Sequence, residues 1–372
     1  EFSRNFDGGT FSFSIDNVSV KEYLGQEVVP DSGCGSWLWE PQTSQLVTYS
    51  EDFSNAVWAK GGDTTIESGY LAPDGTNSAY KVSGTDSSMF AVASLLTTTT
   101  RSIYARTVSG TGQAHLLSYS SNSNNLFTIT DQWQRFDVNS AIAAGASNFY
   151  AVDFRNQTNL SEIILWGANA TNDQDYATSY IPSNGSTVTR NQDVCTNGGS
   201  LASINSTEGV LYAEIAKNSL SNNNQISISL SSGSTNNRVM LFTGANDQRV
   251  NCQVRSGGST WYSSSFDLSV GSTNFNKIAI KYKENDFSFW VNGSKINQAT
   301  TGVTPLGLNE LAFDVGSSAN NFFGKTKALA VWKEALSDQE LADLTYPTPT
   351  DPTFTLDFDT IATDFTFARG SE

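Results

Sequence analysis

Short stretches in which apolar and polar residues alternate constrain the fold of this chain more than any other feature. Ile278, Ile280 and Tyr282 fall on one face of an extended strand. A second such stretch, 287–291, is followed by Asn292-Gly293, the pair preferred in two-residue hairpin turns. The long apolar periodicity of helices is almost absent, so the sequence predicts an all-β fold.

The spacing of strands and turns predicts two consecutive antiparallel β-sandwich (jelly-roll) domains. The first covers residues 46–190 and the second covers residues 194–346. Each is long enough to bury a core of its own. The second also carries the one predicted helix, because Ser337 and Glu340 form a capping-box pattern and Pro347 follows the short apolar segment.

Three further segments are predicted around these domains. Residues 1–28 alternate as strands do but are too few for a sandwich, so we interpret them as the end of a truncated β-sandwich domain. Residues 29–45 form a linker rich in Gly, Pro and Ser, with an aromatic anchor at Trp37 and Trp39. Residues 347–372 combine a linker with the start of a further β element.

The charge balance argues against nucleic acid and membranes as partners. Lys and Arg number 21 against 37 Asp and Glu, which gives a net charge of −16 spread along the chain. Such a surface repels phosphate backbones and anionic lipids. No run reaches the roughly 18 apolar residues that a membrane helix needs, so the sequence predicts no membrane insertion.

Metal and disulfide chemistry has little support in the sequence. His115 is the only histidine, and Cys34, Cys195 and Cys252 lie far apart. These facts exclude a zinc site built from several His or closely spaced Cys ligands. We interpret the cysteines as buried or inert thiols, with a Cys34–Cys195 disulfide as the alternative, and predict no cofactor.

Catalytic groups are also missing from the places where they would be expected. Some glycoside hydrolases built on β-sandwiches carry Glu-x-Asp-x-x-Glu on one strand, but here Glu284 and Asp286 are followed by Phe289. A Ser-His-Asp triad could draw only on His115, and no Gly-x-Ser-x-Gly sequence occurs. The sequence therefore predicts that the protein is not an enzyme.

Several phrases of the sequence resemble tail-fibre and virion structural proteins of bacteriophages. They are Trp39-Glu-Pro-Gln42, residues 46–58, residues 178–183 with 188–190, and residues 365–371. Residues 46–190 resemble carbohydrate-binding modules. Residues 194–346 are similar to the concanavalin A-like (laminin G-like) fold, on the pattern of segments 277–296 and 328–337.

The resemblance implies an extracellular protein of the virion surface, such as a tail fibre, spike or capsid decoration. It implies host cell-surface glycans and other virion proteins as partners. Phage fibres are usually trimeric, which implies a homo-oligomer, although the chain contains no heptad repeat. Two alternatives stay open: a purely structural virion spacer, and an ancillary glycan-binding region of a secreted bacterial enzyme.

The resemblance also implies where a structural calcium ion would bind. Both folds often hold one through carboxylates and backbone carbonyls, and Asp52 is the candidate ligand here. The chain has no Asp-rich loop with the spacing of a calcium site. Solvated surface carboxylates are therefore the alternative interpretation.

Aromatic side chains beside amides and hydroxyls are the candidates for a glycan site, because sugars stack their C–H patches on ring faces. The predicted ligand-binding residues are Trp261 and Tyr262, which follow a Gly-Gly-Ser-Thr sequence, and Tyr119, which precedes an Asn- and Ser-rich segment. Trp133 fits the same description. Most Trp and Tyr residues of a sandwich are core residues, so a structural role is the alternative for each.

Overall fold

The described residues of this computed structural model form antiparallel β-sheets with one short helix. They are residues 4–6, 9–11 and 36–347, apart from gaps at 86–88, 96–97, 119–124, 143–146, 157, 197, 200, 220–225, 245–247 and 270. The predicted β element after residue 347 lies outside them. No helix in the described part of the chain has the length and hydropathy to span a membrane.

Four short strands precede the first sandwich. They are β1 (Arg4–Phe6), β2 (Gly9–Phe11), β3 (Trp37–Trp39) and β4 (Thr43–Gln45). β1 and β2 pair with each other. β3 and β4 lie in the segment predicted to be a linker, and both pair with strands far along the chain, described below.

Two five-stranded sheets form the first sandwich. Its strands are β5 (Trp58–Gly61), β6 (Thr65–Tyr70), β7 (Ala79–Ser83), β8 (Met89–Leu95), β9 (Thr98–Arg106), β10 (Gly112–His115), β11 (Leu126–Ile129), β12 (Gln134–Ile142), β13 (Ser147–Asp153) and β14 (Glu162–Thr171). The sheet orders are β11-β10-β13-β8-β5 and β12-β9-β14-β7-β6. Their core is aromatic: the Trp58 ring stacks on Phe90 at 5.3 Å and meets the edge of Phe149 at 6.0 Å.

The second sandwich combines a six-stranded and a five-stranded sheet. After β15 (Val188–Arg190), its strands are β16 (Glu208–Lys217), β17 (Ile226–Ser231), β18 (Arg238–Thr243), β19 (Arg249–Ser256), β20 (Ser259–Asp267), β21 (Asn276–Lys283), β22 (Phe287–Val291), β23 (Ser294–Ala299), β24 (Glu310–Ala312) and β25 (Gly324–Trp332). The orders are β23-β22-β21-β16-β25-β3 and β20-β19-β18-β17-β24. Alternate residues of both sheets meet in one apolar core.

Two local predictions in the second sandwich are confirmed. Asn292 and Gly293 both have positive φ, at 47° and 84°, as a primed hairpin turn between β22 and β23 requires. Helix α1 (Asp338–Thr345) begins with a complete capping box between Ser337 and Glu340. Its buried residue Leu341 packs on the outer side of the six-stranded sheet.

The segment predicted as a linker is built into the sheets. β3 adds to β25 as the edge of the six-stranded sheet, and the Trp39 ring packs against Phe313 with centroids 4.5 Å apart. β4 pairs with β15. Gln45 at the end of β4 is fully buried and donates to the Ala168 carbonyl in β14. Sequence reasoning missed both pairings, and the domain boundaries themselves stay predictions.

A buried ion pair joins the turn between β3 and β4 to the end of β15. Glu40 is 1% exposed and Arg190 is 8% exposed, and their side chains form a salt bridge. The Glu40 carboxylate also accepts the backbone N–H of Ser179 at 2.9 Å, and Arg190 donates to the Pro41 carbonyl at 3.0 Å. Two segments more than a hundred residues apart are thereby fixed to each other.

Backbone contacts reinforce this ion pair and reach the second sandwich. The backbone N–H of Glu40 donates to the Asp193 carboxylate at 2.8 Å, and the N–H of Asp193 returns a bond to the Glu40 carbonyl at 2.9 Å. Asn218, which follows β16, donates to the Trp39 carbonyl at 3.0 Å. We call Glu40, Arg190, Asp193 and Asn218 the junction.

Glu40→Gln is expected to lower the free energy of unfolding by about 3–5 kcal/mol, because it removes the carboxylate that forms the buried salt bridge with Arg190. Urea unfolding followed by tryptophan fluorescence measures the loss. The control is Asp267→Asn, which removes the solvent-exposed partner of Arg249 and should leave the midpoint unchanged. Equal midpoints for all three proteins would contradict the role assigned to the junction.

Candidate functional site

Trp261 presents a large aromatic ring at the surface of β20, an edge strand of the five-stranded sheet. Its side chain is 47% exposed. Arg255 of β19 pairs with Thr260, while Val254 pairs with Tyr262, so Trp261 is the extra residue of a β-bulge. Bulges re-aim side chains and often lie beside binding sites. The position of Trp261 therefore fits the predicted contact with a ligand.

Tyr262 faces the opposite way, and this corrects its predicted role. It is 4% exposed, its ring stacks on Phe287 at 5.7 Å, and its hydroxyl donates to the Asn297 carbonyl at 3.0 Å. Burial raises the pKa of the phenol above its usual range. Tyr262 is the register partner of the core residue Val254, so its side chain points into the core, while the bulge leaves Trp261 exposed.

Of the other two aromatic candidates, the structure describes only Trp133. Tyr119 lies outside the described residues. Trp133 is half-buried, its indole N–H donates to the Leu71 carbonyl at 3.2 Å, and the Arg106 guanidinium lies 5.3 Å from its ring centroid. For Trp133, the structural role is the better interpretation.

Two arginines that sequence reasoning missed lie opposite each other on the side of the five-stranded sheet that faces away from the core. Arg238 of β18 and Arg255 of β19 are direct register partners. Arg255 is also the residue opposite the bulge that contains Trp261. Gln253 lies on the same side of β19. We call Arg238, Gln253, Arg255 and Trp261 the outer-face site.

Hydrogen bonds hold both guanidinium groups in place. Arg238 is 8% exposed and donates to the Val315 carbonyl and to the Gln253 side-chain oxygen, each at 2.8 Å. Arg255 donates to the Gly258 carbonyl at 2.5 Å. The Nε atoms of both arginines are buried and have no hydrogen-bond partner among the described residues. The outer-face site therefore keeps donors that the protein itself does not satisfy.

The outer-face site is positively charged. In the described part of the chain, no carboxylate oxygen lies within 4.0 Å of a guanidinium nitrogen of Arg238 or Arg255. The nearest strand carboxylate by register, Glu310 on β24, accepts a hydrogen bond from Ser231 at 2.9 Å. Burial, and secondarily the charge of Arg255, lower the pKa of Arg238. Two like charges are thus held together in a protein whose net charge is −16.

A second concave feature lies on the first sandwich. This cleft has a volume of about 430 Å³, and its lining residues include Glu51, Asp52, Tyr80 and Asn184. Asp52, the predicted calcium ligand, accepts hydrogen bonds from the Ser54 backbone at 3.0 Å and the Tyr80 hydroxyl at 3.3 Å. The described residues contain no group of three His, Cys, Asp or Glu side chains that could hold a metal ion.

Glu51 is the partly buried acid of this cleft. Burial raises the pKa of its carboxyl, a hydrogen bond from Tyr180 at 2.8 Å opposes that shift, and the charge of Asp74 adds to it. The Tyr180 hydroxyl also lies 2.6 Å from the Ser50 hydroxyl. The cleft therefore keeps a carboxylate whose charged form is disfavoured by its surroundings.

The groups considered for catalysis have structural roles. Asp286 forms an ion pair with Lys281 at 2.8 Å, while Phe289 is fully buried in the core. His115 is 7% exposed, with its ring Nε2 at 2.7 Å from the Asn156 carbonyl. These contacts bring none of the three to the outer-face site.

The described cysteines are free thiols. Cys252 is fully buried in the second core, and burial raises the pKa of its thiol well above the usual range. Cys195 is half-buried, and burial raises its pKa to about 11. Cys34 and the alternative Cys34–Cys195 disulfide lie outside the described residues.

A family comparison assigns the second sandwich. Residues 189–342 match the model of the concanavalin A-like lectin/glucanases superfamily. This agrees with the concanavalin A-like resemblance seen in the sequence and with the jelly-roll sandwich that these residues form. No curated protein matches the chain.

Solved structures similar to this chain include carbohydrate-binding modules. The CBM40 of the Ruminococcus gnavus IT-sialidase, bound to α2,3 sialyllactose, is 19% identical, with 38% of this chain and 84% of that chain covered and a TM-score of 0.31. Domain 4 of the arabinanase AbnA from Geobacillus stearothermophilus is 14% identical, with 46% and 84% covered and a TM-score of 0.33. The leech intramolecular trans-sialidase is 20% identical, with 39% and 24% covered and a TM-score of 0.33.

Trp261→Ala and Tyr262→Ala are expected to differ in their effect on the free energy of unfolding. Tyr262→Ala empties part of the core and should cost about 3–5 kcal/mol of unfolding free energy. Trp261→Ala removes an exposed ring and should change it by no more than about 0.5 kcal/mol. Urea unfolding of both variants measures the difference, and a comparable loss in both would show that the Trp261 ring is also structural.

Glu51→Gln is expected to stabilise the protein at neutral pH. The pKa of Glu51 is raised in the folded protein above its ordinary value of 4.5. As the pH rises past 4.5, the unfolded state therefore loses the Glu51 proton while the folded state keeps it. The free energy of unfolding falls over this range and levels off once the pH exceeds the folded-state pKa. Glutamine avoids that fall and still accepts the Tyr180 hydrogen bond. Unfolding midpoints measured from pH 4 to 8 should therefore diverge with rising pH, whereas parallel curves would contradict the shift.

Proposed function

We propose that this protein binds glycans of a cell surface through the outer-face site of its second sandwich. The observation that carries the proposal is the exposed Trp261 in the bulge opposite Arg255, with Gln253 on the same side of β19. A flat aromatic face with a few fixed polar groups is the arrangement by which proteins hold sugars. The match of residues 189–342 to a lectin family supports the proposal.

Binding without catalysis is the proposed activity. Retaining and inverting glycosidases usually need a pair of carboxylates across the scissile bond. The outer-face site offers guanidinium groups, an amide and an indole, which can hold a sugar but do not make up that pair.

Two settings are proposed for a protein of this activity. The first is the surface of a phage particle, outside the host cell, where the protein would contact host glycans and other virion proteins; it rests on the sequence phrases around the junction. The second is an ancillary glycan-binding region of a secreted bacterial enzyme. The coding sequence on either side of this chain distinguishes them, since the second setting requires a catalytic domain there and the first requires genes of virion proteins.

Trp261→Ala is expected to abolish binding of the purified chain to a glycan array and to whole host cells, because the sugar loses its stacking surface. Trp37→Ala is the matched control: Trp37 is exposed to a similar degree, 46%, but lies on β3 in the other sheet. It should bind as the unaltered protein does.

If the unaltered protein binds neither the array glycans nor the host cells, the proposed function is refuted and the structural-spacer alternative is favoured. Binding that survives Trp261→Ala would move the site away from the outer face. The cleft lined by Glu51 and Asp52 would then be the next region to alter.

A further inference from the structure

We propose that the outer-face site selects glycans that carry an anionic group, either a carboxylate or a sulfate, and that Arg238 and Arg255 bind that group. This inference rests on the proposed function and names the chemical class of its ligand. It follows from three observations: how the two arginines are arranged, what they lack, and what lies beside them.

The arrangement brings two guanidinium groups together from different strands. Arg238 and Arg255 are directly opposite each other in the antiparallel pair β18–β19. Like charges in such positions destabilise a sheet unless something compensates them. Burial is the main cause that lowers the pKa of Arg238, and the charge of Arg255 lowers it further, which expresses the same repulsion. Binding of an anion between the two would offset this cost.

The arginines lack the partners that buried arginines usually have. Three buried or half-buried cations of the described residues are ion-paired with a carboxylate: Arg190 with Glu40, Lys281 with Asp286, and Arg155 with Asp153. Arg238 is as buried as Arg190, and the Nε of each has no hydrogen-bond partner among the described residues, but Arg238 also has no carboxylate partner there. A buried charge without a counter-charge is costly, so an arginine in this position favours the binding of an anion.

The chemistry of the guanidinium group defines the ligand. Its planar set of N–H donors matches the two oxygens of a carboxylate or sulfate, with which it forms paired, charge-assisted hydrogen bonds. Because the Val315 and Gln253 oxygens hold the Arg238 side chain in place, little entropy is lost when the anion binds. The donors are therefore preorganised, and they bind an anion more strongly than a neutral hydroxyl.

The indole ring beside the arginines supplies the sugar contact. Trp261 is the extra residue of the bulge opposite Arg255, so the exposed ring and the guanidinium belong to neighbouring positions of β20 and β19. A ligand that stacks a sugar ring on Trp261 can direct an acidic substituent toward Arg255. The site thus combines two requirements, a sugar face and a negative charge.

The test uses a glycan array with matched neutral and anionic members, followed by calorimetry on lactose, 3′-sialyllactose and 3′-sulfolactose. These three share one disaccharide and differ in whether it carries no charge, a carboxylate or a sulfate. The unaltered chain should bind at least one anionic member about tenfold to a hundredfold more tightly than its neutral counterpart. The preference should weaken as salt is raised.

Arg255→Gln should remove this preference while leaving residual binding through Trp261. Arg249→Gln is the matched control, because it removes the same charge from the same strand at a position paired with Asp267; it should keep the preference. Arg255→Lys retains the charge but loses the planar fork, and it should recover only part of the affinity. Thermal unfolding of each variant shows that it is folded.

The outcomes separate this inference from the proposed function. If neutral and anionic members bind equally well, the glycan-binding function stands and the inference is overturned. If the anionic preference survives Arg255→Gln, other residues bind the anionic group of the glycan and the inference is also overturned. If no array member binds, both fail together. Preference for only the carboxylate or only the sulfate member supports the inference and identifies the group.

Discussion

The ion pair between Glu40 and Arg190 is the interaction on which the arrangement of the two sandwiches depends. Both side chains are almost fully buried, and their salt bridge lies beside the Asp193 carboxylate and nearby backbone groups. Removing two charges from water is expensive, and the cost is recovered only when the geometry satisfies both. The protein is therefore stable only when the β3–β4 turn packs against β15 so that the two side chains pair.

The outer-face site contrasts with the junction because its charges are not neutralised. At the junction, arginine and glutamate compensate each other within the protein. On the outer side of the five-stranded sheet, the described partners of Arg238 and Arg255 are neutral oxygens. The two arginines lie opposite each other, and the bulge that contains the exposed Trp261 lies opposite Arg255. This difference is the main physical support for a binding role.

Local patterns made much of the fold predictable. The alternation in 277–282, the Asn292-Gly293 turn and the capping box at Ser337 each act over a few residues, and each appears in the structure as predicted. The pairing of β3 with β25 was not predictable in this way. It depends on contacts across most of the chain, and the sequence near Trp37 contains no signal for its partner.

The candidate site was predictable in part for the same reason. The exposure of Trp261 agreed with its polar surroundings in sequence, and the alternation of strand residues could have placed Tyr262 in the core. Arg238 and Arg255 come together only through the register of β18 and β19, which no pattern in the sequence specifies. Their lack of acidic partners is likewise a property of the folded chain.

The position of β3 has a consequence for how the protein is made. Its three residues leave the ribosome before the first sandwich, while its partner β25 is synthesised after the other strands of both sandwiches. Closing so long a loop is slow unless an already folded first sandwich brings its ends together. Until then, β25 has an open hydrogen-bonding edge, the kind that pairs with other chains and aggregates. A fragment that begins after residue 188 would keep that edge open permanently, so the second sandwich is best isolated together with everything that precedes it from β3 onward.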